Sequence, residues 1–442
     1  MRHCNQPSVE TVAVVVSSAI LAATVAAVGT VGADIDWLVP LGAIVSSGHL
    51  PSSIPSAAAP TSGWHDALAG AQLVVWWVYR HFGGERGLVA LQMLAAGVGL
   101  GALALGLRRQ ARALGEVIVV CALVVLGGAA TILVTRVSLF SLALYPLLLV
   151  LVEEDSRAPG RKIWLAVPLV AVWANLHGMV LVGAGLVVVY VVLERGRGEA
   201  LRTAGIVCAT LAATCATPAL WETVLYYRAV FENEAAARGA GLWAPLGASV
   251  FDLLYVAAAC ALLLCSRGRL RRWEWVVVTG LGIASVHSAR LGIWMLFVVA
   301  FPAVRSLRTR SPKPQLLLAV ALGIGAAGVF SVVEKPAASG AALARRAASS
   351  HQVVLADPVA AERVELYGGR VLVANPIDAF RRSDQSLYLD WLAGRASGLP
   401  AISRSSLVLV QARSAAGRAA ARDDRLHRLS ASGGEVLYRV DG

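Results

Sequence analysis

The stretch TVAVVVSSAILAATVAAVGTVGA, residues 11–33, contains no charged side chain over 23 residues. This length is enough to cross a bilayer core of about 30 Å, and it exceeds the apolar region of about 7–15 residues in a signal peptide. The stretch therefore predicts a membrane-spanning helix that is retained in the protein. Asp34-Ile35-Asp36-Trp37 follows directly, so two carboxylates lie where the first span ends.

The composition of the whole chain also indicates a membrane protein. Of its 442 residues, 57% are hydrophobic and only 15% are charged, whereas a soluble domain is about 25% charged. The formal net charge of +12 would suggest nucleic-acid binding in a soluble protein, but in a membrane protein basic residues set topology. We therefore predict no nucleic-acid partner. The six cysteines lack zinc-ligand spacing and are interpreted as small packing residues.

Further uncharged stretches predict more spans. The stretch 163–193 is too long for one crossing and is interrupted by Asn175, His177 and Gly178, which favours two short spans meeting there. With residues 11–33, the total is about eleven transmembrane helices. The remaining spans are predicted at 87–107, 117–135, 137–152, 203–221, 253–266, 275–289, 291–304 and 314–333.

Clusters of basic residues set the predicted orientation. Residues 64–83 contain Trp76, Trp77 and Tyr79, which suit a helix lying along the outer surface rather than crossing. With eleven spans and this interfacial helix, all five clusters lie on the side of the N-terminus. We therefore predict a multi-pass plasma-membrane protein with a cytoplasmic N-terminus. The clusters are at 108–112, 157–162, 195–202, 267–272 and 305–313.

The last part of the chain has a different character. Its apolar runs are short and charged residues occur throughout, which predicts a small soluble α/β domain over 335–442, outside the cytoplasm. The transmembrane domain is then 1–334, with a first extracytoplasmic loop at 34–86. Predicted elements of the small domain are strands at Val353–Ala356, Val371–Ala374, Leu407–Gln411 and Val436–Val440, and a helix at Ala415–Asp423.

The predicted topology places polar residues from distant parts of the chain on the outer face. Ionisable residues at the membrane edge are costly, so their convergence indicates a functional site. We interpret four as candidate catalytic residues and six as candidate substrate-binding residues. The first group is Asp34, Asp36, His65 and Asp66, and the second is Trp64, Arg136, Asn175, His177, His287 and Arg290.

Each candidate has a plainer interpretation. Asp34 and Asp36 can act as a general base or ligate a hard cation, but they can also simply end a helix at water. Arg136 and Arg290 can grip a phosphate bidentately or serve as anchors at the membrane surface. His177 can instead hydrogen-bond a carbonyl at a helix break. The sequence has no HExxH, P-loop or G-x-S-x-G element.

Several short patches resemble the GT-C superfamily of integral-membrane glycosyltransferases. The first loop is similar in its aspartate segment after the first span, its Gly-x-Leu-Pro stretch and its Gly-Trp before an interfacial helix. One departure is that the usual acidic residue of that helix corresponds at best to Asp66. The patches are Asp34–Trp37, Gly48–Pro51, Gly63–Asp66, Phe82–Gly84, Gly87–Gln92, Thr135–Ser141 (Arg-x-x-Leu-Phe-Ser), Trp173–Gly178 (Trp-x-Asn-x-His-Gly), His287–Arg290 and Asn375–Asp378.

The resemblance implies a hexosyl- or pentosyltransferase with inverting chemistry. It implies transfer of a sugar from a polyprenyl-phosphate donor in the membrane lipid to an envelope glycan, lipid or protein outside the cytoplasm. Asp36 or Asp34 would be the base or would ligate a divalent cation such as Mg, Mn or Ca. Arg136 or Arg290 would hold the lipid phosphate. The alternative is a non-catalytic transporter or scaffold in envelope assembly, because transporters also place polar groups on broken helices.

Overall fold

The computed structural model describes residues 8–266, 268–309, 313 and 341–441, and the predicted span at 314–333 lies outside them. The chain divides into two compact units. The helical unit comprises the described parts of 1–31, 85–216 and 244–334. The sheet unit comprises the described parts of 32–84, 217–243 and 335–442, so it contains both the first loop and the C-terminal residues.

The described secondary structure is mainly helical. The α-helices are α1 (Val9–Ala27), α2 (Leu38–Ser46), α3 (Ala69–His81), α4 (Glu85–Arg108), α5 (Leu114–Gly127), α6 (Ala129–Leu133), α7 (Leu139–Arg157), α8 (Ala166–Ala174), α9 (Val180–Arg195), α10 (Ala200–Ala213), α11 (Thr223–Glu232), α12 (Glu234–Arg238), α13 (Val250–Ser266), α14 (Arg272–His287), α15 (Gly292–Ser306), α16 (Ala341–Ser349), α17 (Pro358–Leu366), α18 (Arg382–Leu392), α19 (Pro400–Ser403) and α20 (Ala415–Ala420). The strands are β1 (Thr30–Val31), β2 (Val134–Thr135), β3 (Val353–Ala356), β4 (Arg370–Val371), β5 (Leu407–Gln411), β6 (Leu426–Ser432) and β7 (Glu435–Val440).

The helical unit has the apolar helices expected of a multi-pass membrane protein. Among the described residues, three helical stretches are long and apolar enough to cross a bilayer: Val9–Ala27, Glu85–Arg108 and Ala289–Ser306. The predicted helix break is confirmed, because α8 ends at Ala174 and α9 begins at Val180. The count of eleven spans and the orientation of the termini stay predictions.

The spans predicted at 11–33, 117–135 and 203–221 extend well beyond their helices at the C-terminal ends, and the last of these helices, α10, ends at Ala213. Helix α1 ends at Ala27 and α5 at Gly127, because the uncharged residues that follow include two short strands. Strands β1 and β2 pair in parallel, with Thr30 opposite Val134. At Gly29 a Cβ atom would lie 1.8 Å from the carbonyl oxygen of Leu133, so the close approach before the strands requires glycine. Absence of charge does not distinguish such paired extended backbone from helix.

The glycines of α4 allow close helix packing, because the absence of a side chain lets two backbones approach. Helix α4 packs against both α1 and α7. A Cβ atom at Gly99 would lie 2.1 Å from the carbonyl oxygen of Leu142 in α7, whereas one at Gly97 would lie 3.5 Å from that of Ala19 in α1. Gly99 therefore sets how closely α4 approaches α7.

The sheet unit is built on a five-stranded mixed sheet with strand order β4-β3-β5-β7-β6. Strands β4, β3 and β5 are parallel, and β7 is antiparallel to both β5 and β6. Helices α16 and α17 cover the sheet, with Leu343 and Val364 packed in one buried cluster with Val354 and Leu409. This arrangement agrees with the predicted small α/β fold.

The predicted strands are only partly placed correctly. The bounds of β3 and β5 are confirmed, but the strand predicted at Val371–Ala374 is wrong in its bounds, since β4 covers Arg370–Val371. Strand β6 is absent from the prediction because it is an edge strand in which Leu426 is the buried residue. A strand without an alternating apolar face gives no periodic signal.

The first loop continues the sheet beyond β4. The amide of Ala58 donates to the carbonyl of Val371 at 2.7 Å, and that of Ala59 donates to Leu372 at 3.1 Å. In return Val371 donates to the carbonyl of Ser56 at 2.9 Å. These main-chain bonds join the first loop to the C-terminal residues within one unit. The helix predicted within 64–83 is α3, which packs against α2.

We predict that Gly99→Ala destabilises the protein and Gly97→Ala does not. The new methyl group at 99 meets backbone rather than a movable side chain, so helices α4 and α7 must separate at a cost of about 1–3 kcal/mol. Thermal unfolding of the purified protein in one detergent measures both variants. Equal unfolding temperatures for the two would contradict the packing argument.

Candidate functional site

The Asp34–Asp36 segment is held by one buried carboxylate. Glu362 in α17, 1% exposed, accepts hydrogen bonds from three successive backbone amides: Asp34 at 2.6 Å, Ile35 at 3.1 Å and Asp36 at 3.0 Å. The side chain of Asn375 donates a fourth bond, at 2.5 Å. Three successive N–H groups that point to one side form an anion-binding concavity, and Glu362 fills it. We call these contacts the Glu362 clamp.

Local geometry explains why the three amides can converge. Asp34 has φ of +81°, a left-handed conformation that an aspartate tolerates better than most residues. The chain then turns into α2, which begins at Leu38. The indole Nε1 of Trp37 donates to Asp34 Oδ1 at 3.3 Å. The backbone contacts to Glu362 and the indole of Trp37 together hold the two aspartates in place. Asp36 is 2% exposed, and Asp34 is half-buried.

More acidic groups of the sheet unit lie close to this segment. Burial, opposed by hydrogen bonds from Leu68 and Gln72, raises the pKa of Asp66 to about 6. Burial, with the charge of Asp34 adding to it, raises the pKa of Asp378 to about 7. Tyr226 lies within electrostatic reach of Asp34, Asp66 and Asp378, and burial followed by these charges raises its pKa well above the usual value. The sheet unit thus gathers carboxyls that exchange protons near neutral pH.

The pKa of Glu362 reflects two opposed influences. Burial raises it well above the usual value, and the charges of Asp36 and Asp34 act in the same direction. The hydrogen bonds from the Asp34 amide and from Asn375 act against this rise. The clamp therefore places a buried carboxyl among other carboxyls, where backbone and amide donors compensate its burial.

Two aromatic rings and one hydrogen bond between a histidine and a glutamate complete this region. Trp64 is buried and meets Trp37 edge to face, with ring centroids 6.3 Å apart. His65 Nδ1 lies 3.0 Å from Glu222 Oε2, at a partly exposed position. Trp64 therefore buttresses the residue that holds Asp34, whereas His65 binds a carboxylate from another part of the sheet unit.

In the helical unit, His177 lies in a hydrogen-bonded chain at the break between α8 and α9. Trp173 Nε1 donates to Ser141 Oγ at 2.8 Å, and Ser141 Oγ lies 2.6 Å from His177 Nδ1. Because the serine oxygen accepts from the indole, its own proton can go to Nδ1, which leaves the ring proton of a neutral His177 on Nε2. Arg290 lies within electrostatic reach of His177.

The other candidates of the helical unit have different surroundings. Asn175 donates to the carbonyls of Ala171 at 2.9 Å and Ala216 at 2.6 Å, which is the plainer structural role of an amide at a helix end. His287 is exposed at the end of α14. Arg136 follows β2, and its carbonyl accepts from Leu139 at the start of α7.

The structure therefore distributes the candidates between two units. The sheet unit brings together Asp34, Asp36, Trp64 and Asp66, and the helical unit brings His177 near Arg290. Sequence reasoning missed Glu362 and Tyr226, although Asp378 belongs to a patch that carried the family resemblance. Glu362 gives no signal because two glutamates at i and i+3 in Ala360–Leu366 are typical of an exposed helix face.

The family resemblance implies a divalent cation at Asp34 and Asp36. Within the ranges that the structure describes, no three His, Cys, Asp or Glu side chains lie close enough to hold a metal ion. The divalent cation at Asp34 and Asp36 stays a prediction, and we derive no reaction step through it.

The fold belongs to a known architectural class. The chain aligns with a crystal structure of ArnT from Cupriavidus metallidurans in the apo state with a TM-score of 0.55, at 13% identity and over 97% of both chains. It aligns with the same protein bound to undecaprenyl phosphate with a TM-score of 0.53, again at 13% identity and over 97% of both chains. The resemblance to GT-C membrane glycosyltransferases is thus confirmed at the level of the fold.

Sequence comparisons add no closer relative. No protein-family model matches the chain. No curated protein matches it either. The likeness is one of architecture over nearly the whole chain.

We predict that Glu362→Gln lowers the free energy of unfolding by about 2–4 kcal/mol. The glutamine NH₂ accepts no hydrogen bond, so at least one of the four donors faces another donor. Glu365→Gln is the matched control on the same helix. Glu365 accepts one side-chain bond, from Ser56 Oγ at 2.6 Å, and the amide oxygen of a glutamine can accept the same bond.

Thermal unfolding of the full-length protein and protease sensitivity of the first loop measure both variants at pH 7. We expect loop cleavage in Glu362→Gln and near-normal behaviour in Glu365→Gln. Equal effects of the two substitutions would contradict the clamp as the specific holder of the Asp34–Asp36 segment.

Proposed function

We propose that the protein is a membrane glycosyltransferase that moves a sugar from a polyprenyl-phosphate donor to an acceptor outside the cytoplasm. The observation that carries the proposal is the fold, shared over 97% of both chains with a structure bound to undecaprenyl phosphate. The Asp34–Asp36 segment, held rigidly by the Glu362 clamp, supports a catalytic role for this part of the sheet unit.

The proposed reaction is a single displacement at the anomeric carbon. A carboxylate removes the proton of an acceptor hydroxyl, whose oxygen forms the new glycosidic bond. The bond between the anomeric carbon and the phosphate oxygen breaks, its electron pair stays with the phosphate, and the configuration inverts. Positive charge on the phosphate stabilises the leaving group, and the carboxylate makes the nucleophile stronger.

We assign the base to Asp34 and a positioning role to Asp36. Asp34 is half-buried, so an acceptor can reach its carboxylate, whereas Asp36 is 2% exposed. Asp66 and Asp378 have raised pKa values of about 6 and about 7, which suits groups that exchange protons near neutral pH. Trp64 and His65 belong to the same sheet unit.

The phosphate is assigned to cations of the helical unit. Arg136 and Arg290 provide guanidinium groups, which bind phosphate through two parallel hydrogen bonds. His177, held by Ser141 through Nδ1, presents Nε2 as a further donor. Asn175 and His287 are assigned to the surroundings of this group, Asn175 through its two carbonyl contacts.

The transporter alternative relied on the helix break at 175–178. Asn175 uses its amide group to satisfy two main-chain carbonyls, so this residue stabilises the break rather than offering a free polar group to a substrate. The break therefore adds no specific support for transport.

We predict that Asp34→Asn lowers the rate of sugar transfer by about 10²–10⁴-fold at unchanged membrane insertion, as expected for loss of a general base. Asp36→Asn keeps the backbone amides of the clamp, so we expect a smaller rate loss together with weaker binding of the acceptor. Transfer from radiolabelled polyprenyl-phosphate sugars into envelope fractions measures both. Accumulation of such a lipid in a deletion strain identifies the donor, and full activity of Asp34→Asn would overturn the base assignment.

Binding of the lipid phosphate is tested separately from transfer. We predict that Arg136→Gln and Arg290→Gln each weaken binding of polyprenyl phosphate without sugar by about 10-fold, since each removes one charge-assisted phosphate contact. Arg197→Gln, an exposed arginine beyond α9, is the matched control and should bind normally. Titration monitored by native mass spectrometry measures all three. Unchanged binding in both site variants would contradict the phosphate assignment.

A further inference from the structure

A basic depression lies in the helical unit beside the C-terminal end of α7. Its volume is about 440 Å³, and its lining consists of Arg109, Glu154, Arg157, Ala158 and Lys162. Arg109 and Glu154 form an ion pair with each other. Three basic and one acidic side chain give the lining a net charge of +2. We call this feature the basic depression.

Two of its cations are not neutralised within the part of the chain that the structure describes. Arg157 and Lys162 have no carboxylate within ion-pair distance there, and both side chains are exposed. Arg157 donates instead to the carbonyl oxygen of Arg109, at 3.4 Å. Their charge is therefore available to an anion from solution or from the bilayer.

The neighbouring acidic residues behave differently. Glu153 is 1% exposed and is paired with Arg271 at 3.1 Å and Arg305 at 3.5 Å. Asp155 is 3% exposed and is paired with Arg195 at 3.0 Å. Both acids are thus paired with arginines of the helical unit. They do not neutralise the exposed cations of the basic depression.

The 3₁₀ helix Arg161–Leu165, next to the depression, carries exposed apolar side chains. Trp164 is 39% exposed and Leu165 is 59% exposed, two and three residues after Lys162. Exposed tryptophan next to basic residues is typical of the boundary between the membrane and water. Apolar helix α4 ends at Arg108, one residue before the lining begins.

We propose that the basic depression binds the phosphate of an anionic glycerophospholipid headgroup. Arg157 binds the phosphate through its planar guanidinium, and Lys162 adds a second positive charge. Trp164 and Leu165 contact the glycerol and the upper acyl chains. This site is independent of the proposed glycosyltransferase activity, because its residues are separate from every candidate for the donor and acceptor.

The test uses the full-length protein purified in a neutral detergent. Native mass spectrometry counts bound phosphatidylglycerol, with phosphatidylcholine as the zwitterionic comparison. We expect the double variant Arg157→Gln/Lys162→Gln to bind phosphatidylglycerol about 30-fold more weakly, and Lys162→Gln alone about fivefold, as expected for two and one interfacial charges. The phosphatidylcholine signal should not change. Thermal unfolding confirms that the variants are folded.

The matched control is Arg161→Gln, an exposed arginine of the same 3₁₀ helix that does not line the depression. It should change phosphatidylglycerol binding by less than about twofold, because its charge lies outside the depression. An equal loss in Arg161→Gln would indicate a diffuse surface charge and overturn the site. Displacement of the lipid by equimolar inorganic phosphate would assign the depression to a free anion and likewise overturn the lipid proposal.

Discussion

A buried carboxylate that accepts four N–H groups is the interaction on which the candidate active site depends. Glu362 is separated from Asp34 by 328 residues in sequence, yet its two oxygens receive three successive backbone amides of the first loop and the amide of Asn375. A buried carboxylate is costly unless its oxygens are satisfied, and buried N–H groups are equally costly without an acceptor. Each side of the clamp therefore requires the other.

The clamp explains how a loop can carry catalytic groups. Loops that follow a membrane span are mobile unless their backbone is tied down, and a general base is effective only when its position is fixed. The Asp34–Asp36 segment has neither a long helix nor a strand of its own. Its rigidity comes from Glu362, from the indole of Trp37 and from the edge-to-face packing of Trp64 on that indole. Further along the loop, the main-chain bonds of Ser56, Ala58 and Ala59 to the sheet serve the same purpose.

Sequence reasoning succeeded where the signal is local. Long uncharged stretches predicted the apolar helices, and the break at 175–178 followed from polar residues inside one such stretch. The strands at Val353–Ala356 and Leu407–Gln411 are compact apolar runs, and their bounds are correct. The predicted ends of the spans before β1 and β2 are wrong. An uncharged stretch indicates that residues are buried in lipid or protein, but it does not indicate whether their backbone is helical or extended.

The sequence indicated the aspartates of the candidate site, but it did not indicate the residues that hold them in place. Asp34 and Asp36 stand out because charge is rare after a span, whereas Glu362 and Glu365 look like the solvent face of an ordinary amphipathic helix. Both glutamates are buried, because each bonds to a segment of the first loop more than 300 residues earlier. A single sequence contains no record of such pairing. It becomes visible only when the fold brings the two segments together.

The distribution of charge follows one physical rule in both units. Acidic groups withdrawn from water have compensating donors: Glu153 and Asp155 have arginines, and Glu362 has backbone amides. Arginine compensates a buried carboxyl with an opposite charge, whereas the amides compensate it with dipoles and add no charge of their own. In the same unit, burial raises the pKa of Asp66 to about 6 and that of Asp378 to about 7, so these two carboxyls can accept and release protons near neutral pH. An arginine in place of the amides would remove that property, so the choice of compensating group is itself part of the proposed chemistry.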